Sequence, residues 1–496
     1  MSFTDVVTPV LQHAARDPDH PAFIFGDRIV TYGELVDQGC RLASVLSDAG
    51  IAKGDCVALL SPNRPEFFSI YLGLAMIGAA IVPVNAEFAP HEIRYILEHS
   101  EARAIIRAGE LAETVTEAHK GLRTPLPVED LEALLARAAG APVHTAPLAA
   151  SGNDLALLCY TSGTTSTPKG VAASHANELA SALAYGGMMG INPQDRVLVT
   201  LPLSFSYGFH AATYVALLSG ATVLLAAKFH PRLALEAIET MRPTVFLGVP
   251  TMYAMMADVA LKDARRYDMS SLRLAASSGA ALNEQVIADC RDRLGLVVRP
   301  YYAMTEVRPI FSFDLRVEGE PPAGSVGRLI APTQVRVVTE TGQDAGVDEV
   351  GELWVRGPSF SGAYYRDPQR TSDSVVDGWF RTGDLVSRDA EGYYFIVGRT
   401  RDQIICGGAK IAPIEVEDAL LTHPGIAAAA VVGSPDPVYG QVVKAVIVKE
   451  DPSLSVEDVL SYCSGRIAEY KVPRIVTFMD ALPIAPSGKI LKTALL

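Results

Sequence analysis

Two stretches of this chain repeat one order of features, and that repeat constrains the fold more than any single residue. IYLGLAMIGAAIVPVN followed by PHEIRYILEHSEARAIIR matches TYVALLSGATVLLAAKFH followed by PRLALEAIETMRPTVFLGVP, with Gly78 in register with Gly220. Each stretch reads as an apolar helix, a Gly-Ala turn, a short buried strand, an amphipathic helix opened by a proline (Pro90, Pro231) and another strand. A strand, helix, strand succession of this kind builds parallel sheet, because parallel neighbours need a crossover. Two related α/β subdomains follow. The apolar stretch from Phe209 to Ala227 is long enough to suggest a membrane span, but Ser219-Gly220 breaks it and β-branched residues follow, so helix, turn and buried strand are expected there.

At 496 residues and 49% hydrophobic content the chain exceeds what one core uses, since single cores stop growing near about 250–300 residues. A formal net charge of −14 argues against nucleic acid or an anionic membrane as partner, because either needs a basic face. Six cysteines stand singly, at 40, 56, 159, 290, 406 and 463, with no CxxC or Cys/His spacing, so neither a disulfide framework nor a zinc site is spelled out. The first residues lack the basic and apolar regions of a signal peptide, which sets the expectation of a cytoplasmic protein without membrane insertion.

Residues 133–154, rich in Ala, Pro, Gly and Ser, read as a surface connection into the strand LALLCY. From about Arg316 the texture changes to short alternating strands with Gly-rich turns (GSVGRL, QVRVVTE, GELWVRG, YYFIVGR), which predicts a small β-rich subdomain. After Arg399 the pattern becomes a compact α+β unit, with helices at IEVEDALLTH and VEDVLSYCSGRI and strands at AAAAVVG and KAVIVKE. The domain boundaries expected are therefore 1–400 and 401–496.

Residues 160–171, YTSGTTSTPKGV, lie between the strand LALLCY and the helix AASHANELASALA. Strand, loop and helix is a layout that cradles phosphate. Small residues let backbone N–H groups approach an anion, the hydroxyls of Thr161, Ser162, Thr164, Thr165 and Ser166 donate, Gly163 keeps the path open and Lys169 adds a point charge. The loop is not a Walker A sequence, which would require Gly at Pro168 and Ser or Thr at Gly170. A solvated Ser/Thr linker is the plain alternative.

This loop resembles that of the ANL superfamily of adenylate-forming enzymes, which includes acyl-CoA synthetases, peptide-synthetase adenylation domains and luciferases, and the rest of the chain carries further motifs in the same order. Tyr301, Tyr302, Ala303, Met304, Thr305 and Glu306 are similar to YGxTE with Ala303 in place of Gly. The resemblance implies that Tyr302 lies on adenine, Thr305 meets the α-phosphate and Glu306 holds Mg²⁺, a hard ion suited to a carboxylate oxygen. Ser277, Ser278, Gly279 and Ala280 resemble the turn that reads the adenine edge, and Asp384 in WFRTGDL matches the carboxylate that takes both ribose hydroxyls. Arg399 in GRTRD implies a ribose or phosphate contact, and Arg401-Asp402 occupies the family's hinge, where Arg401 departs from the usual Asp or Lys. Gly407, Gly408, Ala409 and Lys410 match the segment bordering the pantetheine channel, and Lys489 in PSGKI matches the mobile catalytic lysine.

In many acyl- and aryl-CoA ligases a motif reads LPxFHxxG. Here LPLSFSYGF places Phe205 at the His position. Phe205, Tyr207, Phe209, Met252 and Met304 are candidate walls of an apolar acyl pocket, with plain core as the alternative. Arg308 either pairs with a second carboxylate on the substrate or makes a structural salt bridge.

The resemblance implies an AMP-forming acyl-CoA synthetase using ATP, Mg²⁺ and coenzyme A on a small-to-medium apolar or aromatic acid. A carboxylate attacks the α-phosphate, pyrophosphate leaves, the C-terminal lid turns about Arg401-Asp402, and a thiol displaces AMP. The alternative is a stand-alone adenylation enzyme that loads a carrier protein. A homodimer is compatible with the sequence.

Overall fold

The computed structural model describes residues 4–161, 168–263, 265–313, 322–464, 466–484 and 490–496. Four sheets organise it. In the first, the strands run in the order Val128–Asp130, Ala104–Arg107, Cys56–Leu60, Ala80–Val84, Leu155–Thr161, Lys169–Ser174. In the second, the order is Val298–Pro300, Leu274–Ser277, Val245–Gly248, Arg196–Val199, Thr222–Leu225, Pro21–Phe25, Arg28–Thr31. All pairs are parallel except the last of each sheet.

The sequence repeat is a structural repeat. Cys56–Leu60 is flanked by Ala80–Val84 and Ala104–Arg107, and Arg196–Val199 is flanked in the same order by Thr222–Leu225 and Val245–Gly248. Gly78 and Gly220 occupy equivalent turns with φ of +77° and +76°, a conformation that disfavours any side chain. The stretch read as helix, turn and strand is a π-helix at Tyr207–Tyr214, a short helix at Val215–Leu218, the Ser219-Gly220 turn and the strand Thr222–Leu225. Among the described residues no helix is long and apolar enough to cross a membrane.

The two subdomains share one core. Helix Glu66–Met76 is buried along its whole length and crosses helix Tyr32–Asp48 where Gly73 meets Gly39. A Cβ on Gly73 would lie 2.9 Å from the Gly39 carbonyl oxygen, so the close crossing needs glycine. Phe68 stacks on Phe209 at 4.9 Å between ring centroids, and Tyr71 meets Phe209 edge-on at the same separation.

The third sheet is antiparallel and contains Ser325–Leu329, Gln334–Val338, Gly351–Arg356, Trp379–Arg388 and Tyr394–Arg399, the β-rich subdomain read from the sequence. The chain leaves it at Arg399 and enters the last sheet at Ile404. That sheet pairs Ile426–Asp436 with Gly440–Lys449 and is covered by helices Pro413–Leu421 and Val456–Ser464 around a separate core. The fold is thus a large N-terminal α/β part with a β-rich subdomain and a small C-terminal α+β domain.

One local expectation is corrected. The hydroxyl-rich loop does not run from strand into helix, because Lys169–Ser174 returns as a strand antiparallel to Leu155–Thr161 before helix His175–Met189 begins. Gly170, Val171 and Ala173 are buried while Ala172 and Ser174 are less so, and the helix waits for Ser174, whose hydroxyl caps Asn177 N.

Candidate active site

In open parallel sheets, ligands bind beyond the carboxyl ends of the strands, where side chains and turns diverge. The second sheet places its candidates there. The turn after Leu274–Ser277 carries Ser278, Gly279 and Ala280, and the neighbouring strand Val298–Pro300 runs straight into Tyr301–Glu306. Gly279 has φ +88°, and Tyr301 N donates to Ser277 O at 3.0 Å, which ties the two segments edge to edge. Ser278 is buried and Ala280 exposed.

The two adjacent tyrosines diverge. Tyr301 turns inward between Tyr185 and Tyr207, each 5.9 Å away, and its hydroxyl has no hydrogen-bond partner among the described residues. Tyr302 pairs with Phe311 and donates its hydroxyl to Asp384. Asp384 is 1% exposed, accepts from Arg399 Nε at 2.7 Å across the strand pair, and is oriented through its own N–H, which donates to Thr382 Oγ1 at 3.0 Å. Tyr302, Asp384 and Arg399, 97 residues apart at the extremes, thus form one cluster. Burial, and then the Asp384 charge, hold the Tyr302 phenol protonated.

Met304 N donates to Val307 O at 3.1 Å, closing a turn that presents Thr305 and Glu306. Glu306 is nearly buried and accepts from the Tyr364 hydroxyl at 2.7 Å. Lys169 Nζ lies 5.0 Å from the centroid of the same tyrosine ring. Burial lowers the Lys169 pKa, with Glu306 opposing the shift. Tyr364 was not singled out in the sequence. Its only signal was a pair of tyrosines after Gly362-Ala363 in otherwise polar sequence.

Glu306 is the residue here that could offer a carboxylate oxygen to a divalent ion. Among the described residues Tyr364 is the one hydrogen-bond donor to the Glu306 carboxylate, and no group of three or more His, Cys, Asp or Glu could hold a metal. A single hard oxygen ligand, with phosphate and water supplying the rest, is the pattern of magnesium at nucleotide sites.

The proposed acyl wall is stapled to this site. Asn63 donates to Leu201 O at 2.9 Å and Ala226 O at 3.0 Å and accepts from Leu203 N at 2.8 Å, fixing the loop that carries Phe205. Tyr207 reaches Gly248 O at 3.1 Å, and Met252 packs beside Leu201 and Val249. Phe209 is wholly buried in the shared core with Phe67, Phe68 and Tyr71. Met304 packs against the core of the β-rich subdomain. Arg308 is 5% exposed and paired with Glu178, so its charge is already compensated by the protein.

Arg401 and Asp402 lie in the turn between the third and fourth sheets, 3.8 Å apart. Gly407 and Gly408 turn a hairpin whose Lys410 contacts Glu340 of the β-rich subdomain and whose Gly407 N donates to Tyr439 O at 2.9 Å. These partners are distinct from the Tyr302, Asp384 and Glu306 group. Thr161 ends its strand at the rim. Ser162, Gly163, Thr164, Thr165, Ser166 and Lys489 lie outside the described residues.

Comparison with known proteins identifies the class. The AMP-binding enzyme family matches residues 10–365, and the AMP-binding enzyme C-terminal domain matches residues 415–489. The chain is 36% identical to a feruloyl-CoA synthase of Amycolatopsis over 97% of its own length and 96% of that protein. It is 35% identical to the indoleacetate–CoA ligase of Aromatoleum aromaticum, covering 97% and 95% of the two chains. The crystal structure of ATP-bound MatB from Rhodopseudomonas palustris superposes with a TM-score of 0.91 at 29% identity, covering 99% of this chain and 98% of that one. The protein belongs to the AMP-binding family of adenylate-forming enzymes, and within it is an acid–thiol ligase of the CoA-ligase type.

Proposed function

We propose that this ligase activates a small-to-medium apolar or aromatic carboxylic acid with ATP and Mg²⁺ to an acyl-adenylate, then transfers the acyl group to coenzyme A. The observation that carries the reading is the joining of the Tyr302–Asp384–Arg399 cluster to the Glu306–Tyr364–Lys169 cluster beyond the carboxyl ends of parallel strands.

In this reading Tyr302 offers its face to adenine and Asp384 accepts from the ribose. The hydroxyls of Thr161, Ser162, Thr164 and Thr165 with Lys169 hold the phosphates, and Glu306 is the protein ligand of magnesium, which neutralises phosphate charge when bound. The substrate carboxylate is ionised and needs no general base. One of its oxygens attacks the α-phosphorus, the bond to the bridging oxygen breaks, and pyrophosphate carries away the electron pair. Catalysis is therefore positioning and charge stabilisation, with Lys489 the decisive cation.

Domains 1–400 and 401–496 then rotate about Arg401-Asp402, Lys489 withdraws, and residues 407–410 border the pantetheine channel. The apolar side chains of Phe205, Tyr207 and Met252 suit an aromatic acid, and relatives named for feruloyl and indoleacetate substrates support that choice.

The test is pyrophosphate release with ATP and Mg²⁺ across aliphatic, aromatic and dicarboxylic acids, each with and without CoA. Turnover that requires both an aromatic or apolar acid and CoA supports the reading. Acid-dependent release indifferent to CoA moves the assignment to carrier-protein loading, and preference for small polar diacids removes the apolar pocket.

A further inference from the structure

Behind the candidate acyl wall lies a polar chain, buried at Arg308, Glu178, His210 and Ser181, that the reaction scheme above does not use. Arg308 contacts Glu178 through one terminal nitrogen and, through the other, donates to Thr305 O at 2.8 Å and Ser206 Oγ at 2.9 Å. The second oxygen of Glu178 meets His210 Nδ1 at 2.7 Å, and His210 Nε2 meets Ser181 Oγ at 2.8 Å. The side chains of Arg308, Glu178 and His210 are 6%, 1% and 0% exposed.

We infer that Arg308 is a positioning residue that locks the Thr305 turn to the acyl-pocket loop, so that the acid carboxylate and the α-phosphate are held in attack geometry. The inference rests on the adenylation reading. Its parts come from three elements that the reaction must align. Glu178 and Ser181 belong to helix His175–Met189, which follows the strand Lys169–Ser174; Ser206 and His210 belong to the π-helix Tyr207–Tyr214 and its N-cap; Thr305 belongs to the nucleotide turn. π-helical turns recur at functional sites.

The geometry argues against a pair built for stability alone. An arginine–carboxylate pair optimised for its own strength closes as a two-pronged fork. Here Glu178 takes one prong, Nε is buried without a partner among the described residues, and the other terminal nitrogen is spent on Thr305 and Ser206. A buried ion pair is also weak evidence of stabilisation, since desolvation offsets its Coulomb gain. Burial lowers the His210 pKa against the pull of Glu178, which keeps the imidazole neutral and leaves one positive and one negative charge in balance. A guanidinium presents these donors in a fixed planar fork, which an ammonium on a flexible stem does not reproduce.

The test separates positioning from folding. Acid-dependent ATP–pyrophosphate exchange by the wild-type enzyme is measured first, and its absence would remove the adenylation reading without reference to Arg308. The paired variant Arg308→Met with Glu178→Gln removes both charges, so its Tm is expected within a few degrees of wild type. Its exchange rate at saturating ATP and acid is expected to fall about 100-fold, the scale of a ~1 Å misplacement, while thioester formation from supplied acyl-adenylate persists. Arg308→Lys regains part of the loss. Recovery of exchange together with Tm in the paired variant, or equal loss in both half-reactions, overturns the inference. Should the paired variant fail to fold, Ser206→Ala decides: a few-fold loss in exchange kcat with unchanged ATP KM supports the lock, and wild-type kinetics overturn it.

Discussion

The hydroxyl of Tyr364 donates to Oε1 of Glu306 at 2.7 Å while the face of its ring lies 5.0 Å from Lys169 Nζ. One aromatic side chain therefore touches the carboxylate expected to hold magnesium and the cation expected to hold phosphate. Its backbone also bridges Val171, next to the hydroxyl-rich loop, and its ring meets Phe380 beside the ribose motif.

Tyr364→Phe keeps the ring and removes the hydrogen bond. A hydrogen bond to a charged group contributes about 1.5–3 kcal/mol, so the Mg²⁺ concentration for half-maximal pyrophosphate exchange should rise roughly 10-fold or more, with little change in acid KM. Manganese–ATP binding, followed by water-proton relaxation, should weaken in parallel. Tyr364→Leu, which also strips the face from Lys169, should lose more.

Asp384 is buried against Arg399 and Tyr302, so its removal strands a cation and takes away the expected ribose acceptor together. Asp384→Ala should raise ATP KM at least ~10-fold while acid KM stays within about 2-fold, and should lower Tm, because the Tyr302 hydroxyl loses its acceptor. Steady-state kinetics with each substrate varied in turn, beside a thermal melt, checks both.

Acid should destabilise the fold in the histidine range. Burial lowers the pKa of His13, His99, His175 and His210 below 6.5. The native state then binds fewer protons than the unfolded chain, so stability is complete above pH 6.5 and lost as pH falls through that value toward the folded pKas. At His175 burial is the leading cause, opposed by Asp5, Asp154 and Glu178, and protonation would also remove the Nδ1 acceptor that Val6 N reaches at 3.3 Å. The urea midpoint should drop between pH 7.5 and 5.5, and His175→Gln should flatten the drop.

Gly208 opens the π-helix beneath the acyl loop, where an added Cβ would fall inside contact distance of the Pro202 carbonyl oxygen. Gly208→Ala should cost about 1–3 kcal/mol, the usual penalty of overpacking, and should raise acid KM more than ATP KM. Denaturant unfolding and kinetics on one preparation test the pair of effects.

Local pattern made much of this legible. The Gly78 and Gly220 turns were readable because a glycine between an apolar helix and an apolar strand has few other uses, and both adopt positive φ. Tyr302, Asp384 and Glu306 stand out in the sequence because their motifs are short contiguous strings, and the structure brings Tyr302 and Asp384 into contact. Tyr364, Glu178 and His210 were not, since each acts through a partner 58, 130 or 32 residues away, and spacing along the chain carries no trace of such contacts. The exit of the hydroxyl-rich loop is not legible in the sequence for a related reason. A short alternating strand and the first turn of a helix look alike until pairing with Leu155–Thr161 decides between them. Phe209 shows the same limit, because an aromatic near a βα turn serves core or pocket equally well until its neighbours are known.

The central claim is that a carboxylate oxygen attacks the α-phosphorus of ATP, and the acid supplied with ¹⁸O in both carboxyl positions tests it most directly. After complete turnover with ATP, Mg²⁺ and CoA, mass spectrometry should find one ¹⁸O in AMP, one retained in the thioester carbonyl and none in pyrophosphate. Label in inorganic phosphate with ADP as co-product, or AMP free of label, would contradict the account.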